Sequence, residues 1–139
     1  MRGPPFLRCG EPARAQMEAN MLHLTALERA VLEDICRQQA DEREVLESQL
    51  ATATVTRREN TGEGFFTYFA VDRNGPPLTS RWRILGNVAA AIVGFERPLL
   101  LALFMDKDGY VQMLEATAAG DSTVGVDFST VQFKLNPTY

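Results

Sequence analysis

The spacing of apolar residues predicts a helix that begins near Thr25. Leu27, Val31 and Ile35 recur at four-residue steps, which places them on one face of a helix. Glu28 follows Thr25 by three residues, and this Thr-x-x-Glu spacing is typical of a reciprocal N-terminal cap. The charged residues of the segment are expected off the apolar stripe, on a solvated face: Glu28, Arg29, Glu33 and Arg37.

A second helical pattern follows after a short interval. Asp41 and Glu44 repeat the capping spacing, and the apolar stripe that comes with them ends at Leu50. The two patterns predict either two short helices that break near Ala40 or one long bent helix. Acidic residues outnumber basic residues here, which is typical of a solvated helix face and leaves an acidic docking surface as the alternative.

Beyond Leu50 the pattern becomes extended. The run GFFTYFAVD is apolar at both alternating sets of positions, as expected of an interior strand. The runs NVAAAIVGFE and LLLALFMD follow, with a bend at 96–98 between them. Asp108 and Gly109 predict a two-residue hairpin turn, because both central positions of that turn favour positive φ.

The last run, STVQFKL, alternates between apolar and polar residues. Val131, Phe133 and Leu135 are expected to face the core, while Lys134 faces water and suits the edge of a sheet. Because the helices precede the strands, the order of elements favours an α+β fold. One or two N-terminal helices would pack on a mostly antiparallel sheet of about five or six strands.

The segment RRENTGEGFF contains two glycines, which raises the question of whether it forms a loop that binds an anion. A phosphate-binding loop opens a helix, whose N-terminal amides point at the anion. Gly62 and Gly64 instead stand between two runs with strand character, and Asn60 and both glycines tolerate left-handed backbone angles. The segment therefore predicts a hairpin turn that needs no ligand.

The composition is that of a globular chain with a modest acidic charge. Its 139 residues are 45% hydrophobic and 23% charged, with a formal net charge of −4. This length predicts a single α+β domain at 21–139, after a flexible N-terminal arm at 1–20 that is rich in proline and glycine. The longest apolar run is too short to cross a bilayer, and no secretory signal is visible. We therefore expect a cytoplasmic protein without a membrane partner.

Metal and cofactor chemistry have little support in the residues. Two cysteines and one histidine supply fewer nitrogen and sulfur ligands than a structural zinc site needs. No glycine-rich nucleotide motif is present, and no nucleophile stands with an identifiable base and orienting partner. We therefore expect no metal, no cofactor and no catalytic residues.

Arginines supply the candidates for nucleic-acid contact. An acidic chain is a poor match for a polyanion, because such partners need clustered positive charge. Arg57 and Arg58 are adjacent on a predicted strand and cannot share a face, whereas Arg81 and Arg83 can, with Trp82 on the other side. A basic patch of Arg57, Arg81 and Arg83 remains as an alternative function.

Glu115 has the most unusual predicted environment of the carboxylates. On a strand it alternates in phase with Val111 and Met113 and would point with them toward an apolar face. A carboxylate there must be paired, protonated or placed in a pocket. Arg58 or Arg83 is expected as a structural partner, and simple exposure at the strand end is one alternative. The other alternative is a ligand pocket lined by Arg58, Trp82, Tyr110 and Glu115.

These strand and turn motifs resemble those of a family of small bacterial proteins without an established activity. The family pattern joins V-x-A-x-I-x-G-[LF]-E to D-G-Y-[VL]-x-M-L-E, after an R-E-N-T-G-x-G-F-[FY]-T segment. Residues 58–67, 88–96 and 108–115 match it, within a likeness that covers roughly residues 22–118. Where such proteins often continue with glycine and an aromatic residue, this chain has Ala116 and Thr117. The resemblance implies the fold and no particular activity.

The residues favour a non-enzymatic module that binds an unidentified protein partner, of the small regulatory or immunity type. A homodimer through the C-terminal edge strand is one form of it. The support is the scarcity of catalytic side chains beside a well-patterned core. The alternatives are a small-molecule binder or enzyme with a pocket around Glu115, and a nucleic-acid binder that uses the arginine patch.

Overall fold

Helices precede strands in the computed structural model, which describes residues 15–17 and 23–137. The principal elements are α1 (Ala26–Gln38), α2 (Arg43–Thr52), β1 (Thr54–Asn60), β2 (Gly64–Ala70), β3 (Ile84–Ile92), β4 (Leu99–Met105), β5 (Val111–Thr117) and β6 (Phe133–Leu135). Residues 15–17 are also helical, and Met17 is buried. The rest of the predicted N-terminal arm lies outside the described residues. This order confirms the α+β fold with N-terminal helices.

The six strands form one antiparallel sheet in the order β1-β2-β5-β4-β3-β6. β2 lies inside the sheet between β1 and β5, as its two apolar faces predict. β6 lies at an edge, as predicted, but covers Phe133–Leu135 rather than the whole STVQFKL run. β1 forms the opposite edge of the sheet.

α1 begins as the sequence predicts, with a complete reciprocal cap. The Glu28 amide donates to the Thr25 hydroxyl at 3.0 Å, and the Thr25 amide donates to the Glu28 carboxylate at 2.9 Å. A break at 39–42 separates α1 from α2, so the two-helix alternative is the correct one.

The start of α2 differs from the prediction. Glu42, not Asp41, stands at the N-cap, and its side chain makes no capping hydrogen bond. The Glu42 carboxylate instead accepts hydrogen bonds from the amide and the hydroxyl of Thr79, at 2.8 and 2.9 Å. This carboxylate therefore ties the loop before β3 to the start of α2 rather than capping the helix.

The helices cover one face of the sheet, which we call the helix face. α1 contacts β3, β4 and β6, and α2 contacts β5. Eight fully buried leucines form the centre of the core: Leu27, Leu32, Leu46 and Leu50 from the helices, and Leu99, Leu101, Leu103 and Leu114 from the sheet. Thr67 on β2 points to this face, because its hydroxyl donates to Glu28. Alternation sends Phe66 and Tyr68 to the opposite face, which no described helix covers and which we call the open face.

The connection between β1 and β2 is the predicted turn at 61–63. The Gly62 amide donates to Asn60 Oδ1, and Gly62 has a φ of +87°. The Thr123 hydroxyl donates to the same oxygen and accepts from the Gly64 amide, which anchors the loop after β5. The phosphate-loop alternative fails, because these glycines lead into a strand and not into a helix.

The connection between β4 and β5 is wider than predicted. It spans residues 106–110, and within it Gly109 alone has a positive φ, of +91°. Asp106 Oδ1 accepts hydrogen bonds from the amides of Asp108 and Tyr110. The expected two-residue turn is therefore wrong, because the Asp106 side chain holds a longer turn that needs one left-handed residue.

Gly64 lies so close to β5 that a side chain would clash. A Cβ there would sit 1.8 Å from the Ala116 carbonyl oxygen, and φ is +151°. We expect Gly64→Ala to lower the free energy of unfolding by at least about 2 kcal/mol, measured by urea unfolding. Gly75→Ala is the matched control, since a Cβ there meets no atom within 4 Å. Equal unfolding midpoints for the two variants would contradict the expectation.

Candidate functional site

Glu28 is a charged residue inside the core, with 1% of its surface exposed. Oε1 accepts hydrogen bonds from the Thr25 amide at 2.9 Å and from Arg58 Nη2 at 2.8 Å. Oε2 accepts hydrogen bonds from Arg58 Nε at 3.0 Å and from the Thr67 hydroxyl at 2.5 Å. These contacts join α1, β1 and β2 at a single carboxylate, and both oxygens have their hydrogen-bonding capacity used.

The prediction that Glu28 lies on a solvated helix face is wrong. Glu28 stands three residues before Val31 and four before Leu32, so it shares their buried side of α1. That spacing is the sequence signal for its burial. An exposed glutamate could cap the helix equally well. The Thr25–Glu28 spacing therefore does not show by itself that Glu28 is buried.

The ionised form of Glu28 is favoured in spite of its burial. Burial by itself would raise the pKa of Glu28, but the hydrogen bonds from Arg58, Thr67 and the Thr25 amide outweigh it, so the pKa is lowered. The hydrogen bond to Glu28 raises the pKa of Arg58, so both partners remain charged. The pair is bidentate, which is the geometry that the planar guanidinium favours.

Arg58 also lines two cavities, of about 370 and 310 Å³. The larger cavity opens between the helices and β1, with the side chains of Leu32 and Leu50 in its wall. The smaller cavity lies at the start of α1, beside the loop at 126–129. The Arg58 side chain is 45% exposed, so its guanidinium is reachable from solvent although one edge is occupied by Glu28.

The residues predicted to line a pocket around Glu115 do not come together. Arg58 lies on the helix face, whereas Glu115 pairs with Phe66 on the open face. Tyr110 is buried in the connection between β4 and β5, where its hydroxyl donates to the Gly75 carbonyl at 2.8 Å. Trp82 lies in the loop before β3 with 75% of its surface exposed.

A β-bulge explains why Glu115 has a different neighbourhood from the predicted one. Phe104 pairs with Met113 while Met105 pairs with Val111, so Gln112 is an extra residue on β5. The bulge reverses the alternation, and Val111 is buried on the helix face while Met113 faces the other way.

The expected ion pair of Glu115 with Arg58 is not formed, because Arg58 binds Glu28 on the opposite side of the sheet. No described side chain forms an ion pair with Glu115. Its carboxylate therefore lies half-buried on the open face among the side chains of neighbouring strands.

The arginines of the predicted basic patch are also spread out. Arg57 lies on the open face of β1, with its guanidinium 4.4 Å from the centre of the Tyr68 ring. Arg81 and Arg83 are exposed in the loop that leads into β3. β1 and β3 are four strand spacings apart in the sheet, which is about 19 Å. Arg57 is therefore far from Arg81 and Arg83, and the three arginines do not form one patch.

Two rows of side chains cross the open face from β1 to β3. The first row consists of Arg57, Tyr68, Met113, Phe104 and Ile84. The second row consists of Glu59, Phe66, Glu115, Ala102 and Asn87. The rings of Phe66 and Tyr68 stack with centroids 5.8 Å apart. Ile84, at the end of the first row, and Leu100, which lies on β4 beyond the second row, are about half exposed, at 48% and 55%.

Comparison with known proteins adds no assignment: no family model, curated protein or solved structure matches the chain. Residues 15–17 and 23–137 contain no cluster of three or more histidine, cysteine, aspartate or glutamate side chains that could bind a metal ion. None of the described helices has the length and apolar character needed to span a bilayer. The candidate sites are therefore the Glu28–Arg58 pair with its cavities, and the open face.

Glu28→Gln tests the contribution of the buried carboxylate to stability. The substitution keeps the size of the side chain but removes the charge that accepts the hydrogen bonds of Arg58 and Thr67, so we expect a loss of about 2 kcal/mol in the free energy of unfolding at neutral pH. Glu63→Gln, in the exposed turn after β1, is the control and should change stability by no more than about 0.5 kcal/mol. Urea denaturation followed by circular dichroism measures both. Similar losses in the two variants would exclude a special role for Glu28.

The same variant has a defined pH dependence. Because the folded protein lowers the pKa of Glu28 from its ordinary value of 4.5, ionised Glu28 stabilises the fold above that value. The contribution is lost as the pH falls through the lowered pKa. We expect the stability difference between wild type and Glu28→Gln to be largest near neutral pH and to shrink as the solution is acidified below the ordinary pKa of 4.5. The pKa values of Asp106 and Asp127 are lowered too, but their titration is common to both proteins and cancels. A difference that grows in acid would contradict the assignment.

Proposed function

We propose that the protein is a non-enzymatic interaction module of the small regulatory or immunity type, with the open face of the sheet as its docking surface. The observation that carries the proposal is a six-stranded sheet with described helices on one face and apolar side chains across the centre of the other. Antiparallel sheets whose second face stays in water normally place polar residues there. A contiguous apolar surface of this kind is typical of protein contact sites.

The distribution of charge on the open face supports the same function. Aromatic and methionine side chains surround Glu115 in the middle of the two rows, and further charged side chains lie at the edges of the sheet. Arg57 and Glu59 mark the β1 edge, 3.6 Å apart, and Lys134 marks the β6 edge. An apolar centre with a charged rim is the usual anatomy of a protein interface, in which aromatic residues, methionine and arginine are enriched.

A second copy of the chain is the partner that this face fits. Consider a two-fold axis that lies in the interface, parallel to the two rows and midway between them. This axis would place the first row of one copy opposite the second row of the other copy. Arg57 would then lie opposite Glu59 of the second copy, twice by symmetry. The same operation places the large Phe104 side chain over the small Ala102, so shape is complementary as well as charge.

Pairing of β6 edges is the other route to a homodimer. β6 has three residues and is followed by Asn136, at a φ of +50°, and by Pro137. A strand this short offers few backbone hydrogen bonds to a second chain, and shortness is one way in which sheet edges avoid pairing. The open face is therefore favoured as the contact.

A charge exchange tests the face-to-face dimer. Arg57→Glu and Glu59→Arg should each weaken dimerisation at least tenfold, about 1.4 kcal/mol, because each places like charges opposite each other. The double variant restores opposite charges across the two-fold axis and should recover most of the affinity. Sedimentation equilibrium on the full chain gives the dissociation constants. Recovery in the double variant is the outcome that separates a specific contact from a general effect of charge.

Glu115→Gln is the matched control at the centre of the same face. A carboxylate taken from water into an interface costs free energy, so its neutral counterpart should bind equally well or more tightly. A monomeric wild-type chain across the whole concentration range would exclude a second copy as the partner. A dimer that none of the open-face substitutions alters would assign the contact elsewhere, with the β6 edge as the first alternative.

A further inference from the structure

The larger cavity beside Arg58 has the composition of a ligand site for an amphipathic molecule. Apolar side chains from both helices, from the residue before the N-cap of α1 and from both strands of the β1–β2 hairpin form its walls: Leu24, Leu32, Leu50, Val55 and Phe69. Leu32 and Leu50 are fully buried, so the floor of the cavity belongs to the core. Its volume of about 370 Å³ lies within the range of small-molecule sites, which starts near 300 Å³.

Arg58 contributes its guanidinium group to the lining of this cavity, and some of its hydrogen-bond donors have no partner among the described residues. Glu28 takes Nε and one hydrogen of Nη2, which is one edge of the guanidinium. An arginine has five N–H groups, and the other three, on Nη1 and on the outer side of Nη2, donate to no residue that the structure describes. These form the second edge of the fork, and that edge matches the two oxygens of a carboxylate.

The remaining polar groups of the cavity suit an anion better than a cation. Among the described residues, His23 and Thr54 are the other polar residues at its lining, and none of the described carboxylate side chains is part of that lining. Glu28 keeps Arg58 in place but lies behind it, with its oxygens occupied by four hydrogen bonds. An incoming anion would therefore meet donors and apolar walls.

We infer that this cavity binds a small monocarboxylate with an apolar tail, such as a medium-chain fatty acid. The carboxylate lies on the free edge of Arg58, and the tail lies between the helices and β1. This site is on the helix face, so it is separate from the docking surface proposed above and does not depend on it.

Octanoate and octanol form the pair of probes that isolates the carboxylate. Isothermal titration calorimetry on the full chain should give saturable binding of octanoate and at least tenfold weaker binding of octanol, about 1.4 kcal/mol in free energy. Both molecules have the same tail, so equal binding would show that Arg58 is not the anchor. Absence of octanoate binding at millimolar concentration would overturn the proposal.

Two variants locate the site. Val55→Trp fills the cavity and should abolish octanoate binding, whereas Val93→Trp adds the same side chain at an exposed turn position and should leave it unchanged. Arg58→Lys keeps a positive charge near Glu28 but lacks the second edge of the fork, so it should weaken binding at least tenfold. Circular dichroism checks that each variant is folded. Octanoate binding that survives Val55→Trp would place the ligand elsewhere and reject the cavity.

Discussion

The ion pair between the buried Glu28 and the half-exposed Arg58 is the contact on which the two layers of the fold depend. The Glu28 carboxylate holds the first turn of α1 against the two strands of the β1–β2 hairpin, and each of its oxygens accepts two hydrogen bonds. A buried pair of this kind adds little net stability compared with an apolar contact of the same volume, but the loss of one partner is costly. The pair therefore acts mainly as a constraint on register: α1 has one favourable position along the hairpin.

This constraint divides the sheet into two chemically different faces. On the helix face, Arg58 neutralises the charge of Glu28 and the leucines of the core are buried, while the described residues line two cavities beside Arg58. The open face has no comparable cover among the described residues, and its apolar rows remain in contact with solvent. Both proposals follow from that asymmetry. The open face offers a surface large enough for a protein, and the helix face offers a cavity large enough for a small molecule.

The fold could be predicted from the sequence because local patterns agree with the tertiary structure. The Thr25 to Glu28 spacing, the apolar stripe of α1 and the glycines of the turn at 61–63 each specify one conformation. The site could not be predicted in the same way, because its partners are distant in sequence. Arg58 lies thirty positions after Glu28, and nothing local indicates which carboxylate it binds. Val111 was predicted on the same face of β5 as Met113 and Glu115, and this prediction is wrong. The bulge at Gln112 changes the alternation, and no residue pattern in the sequence indicates that bulge.

A second bulge, in β1, decides which of the two adjacent arginines meets Glu28. Val55 pairs with Phe69 and Arg57 pairs with Tyr68, so one extra residue, Thr56, lies between them. In a regular strand, residues two apart share a face, and an inward Val55 would bring Arg57 inward as well. The bulge shifts the alternation, so Arg58 reaches the buried carboxylate and Arg57 reaches the open face. One irregular position on an edge strand thus supplies an arginine to each of the two candidate sites.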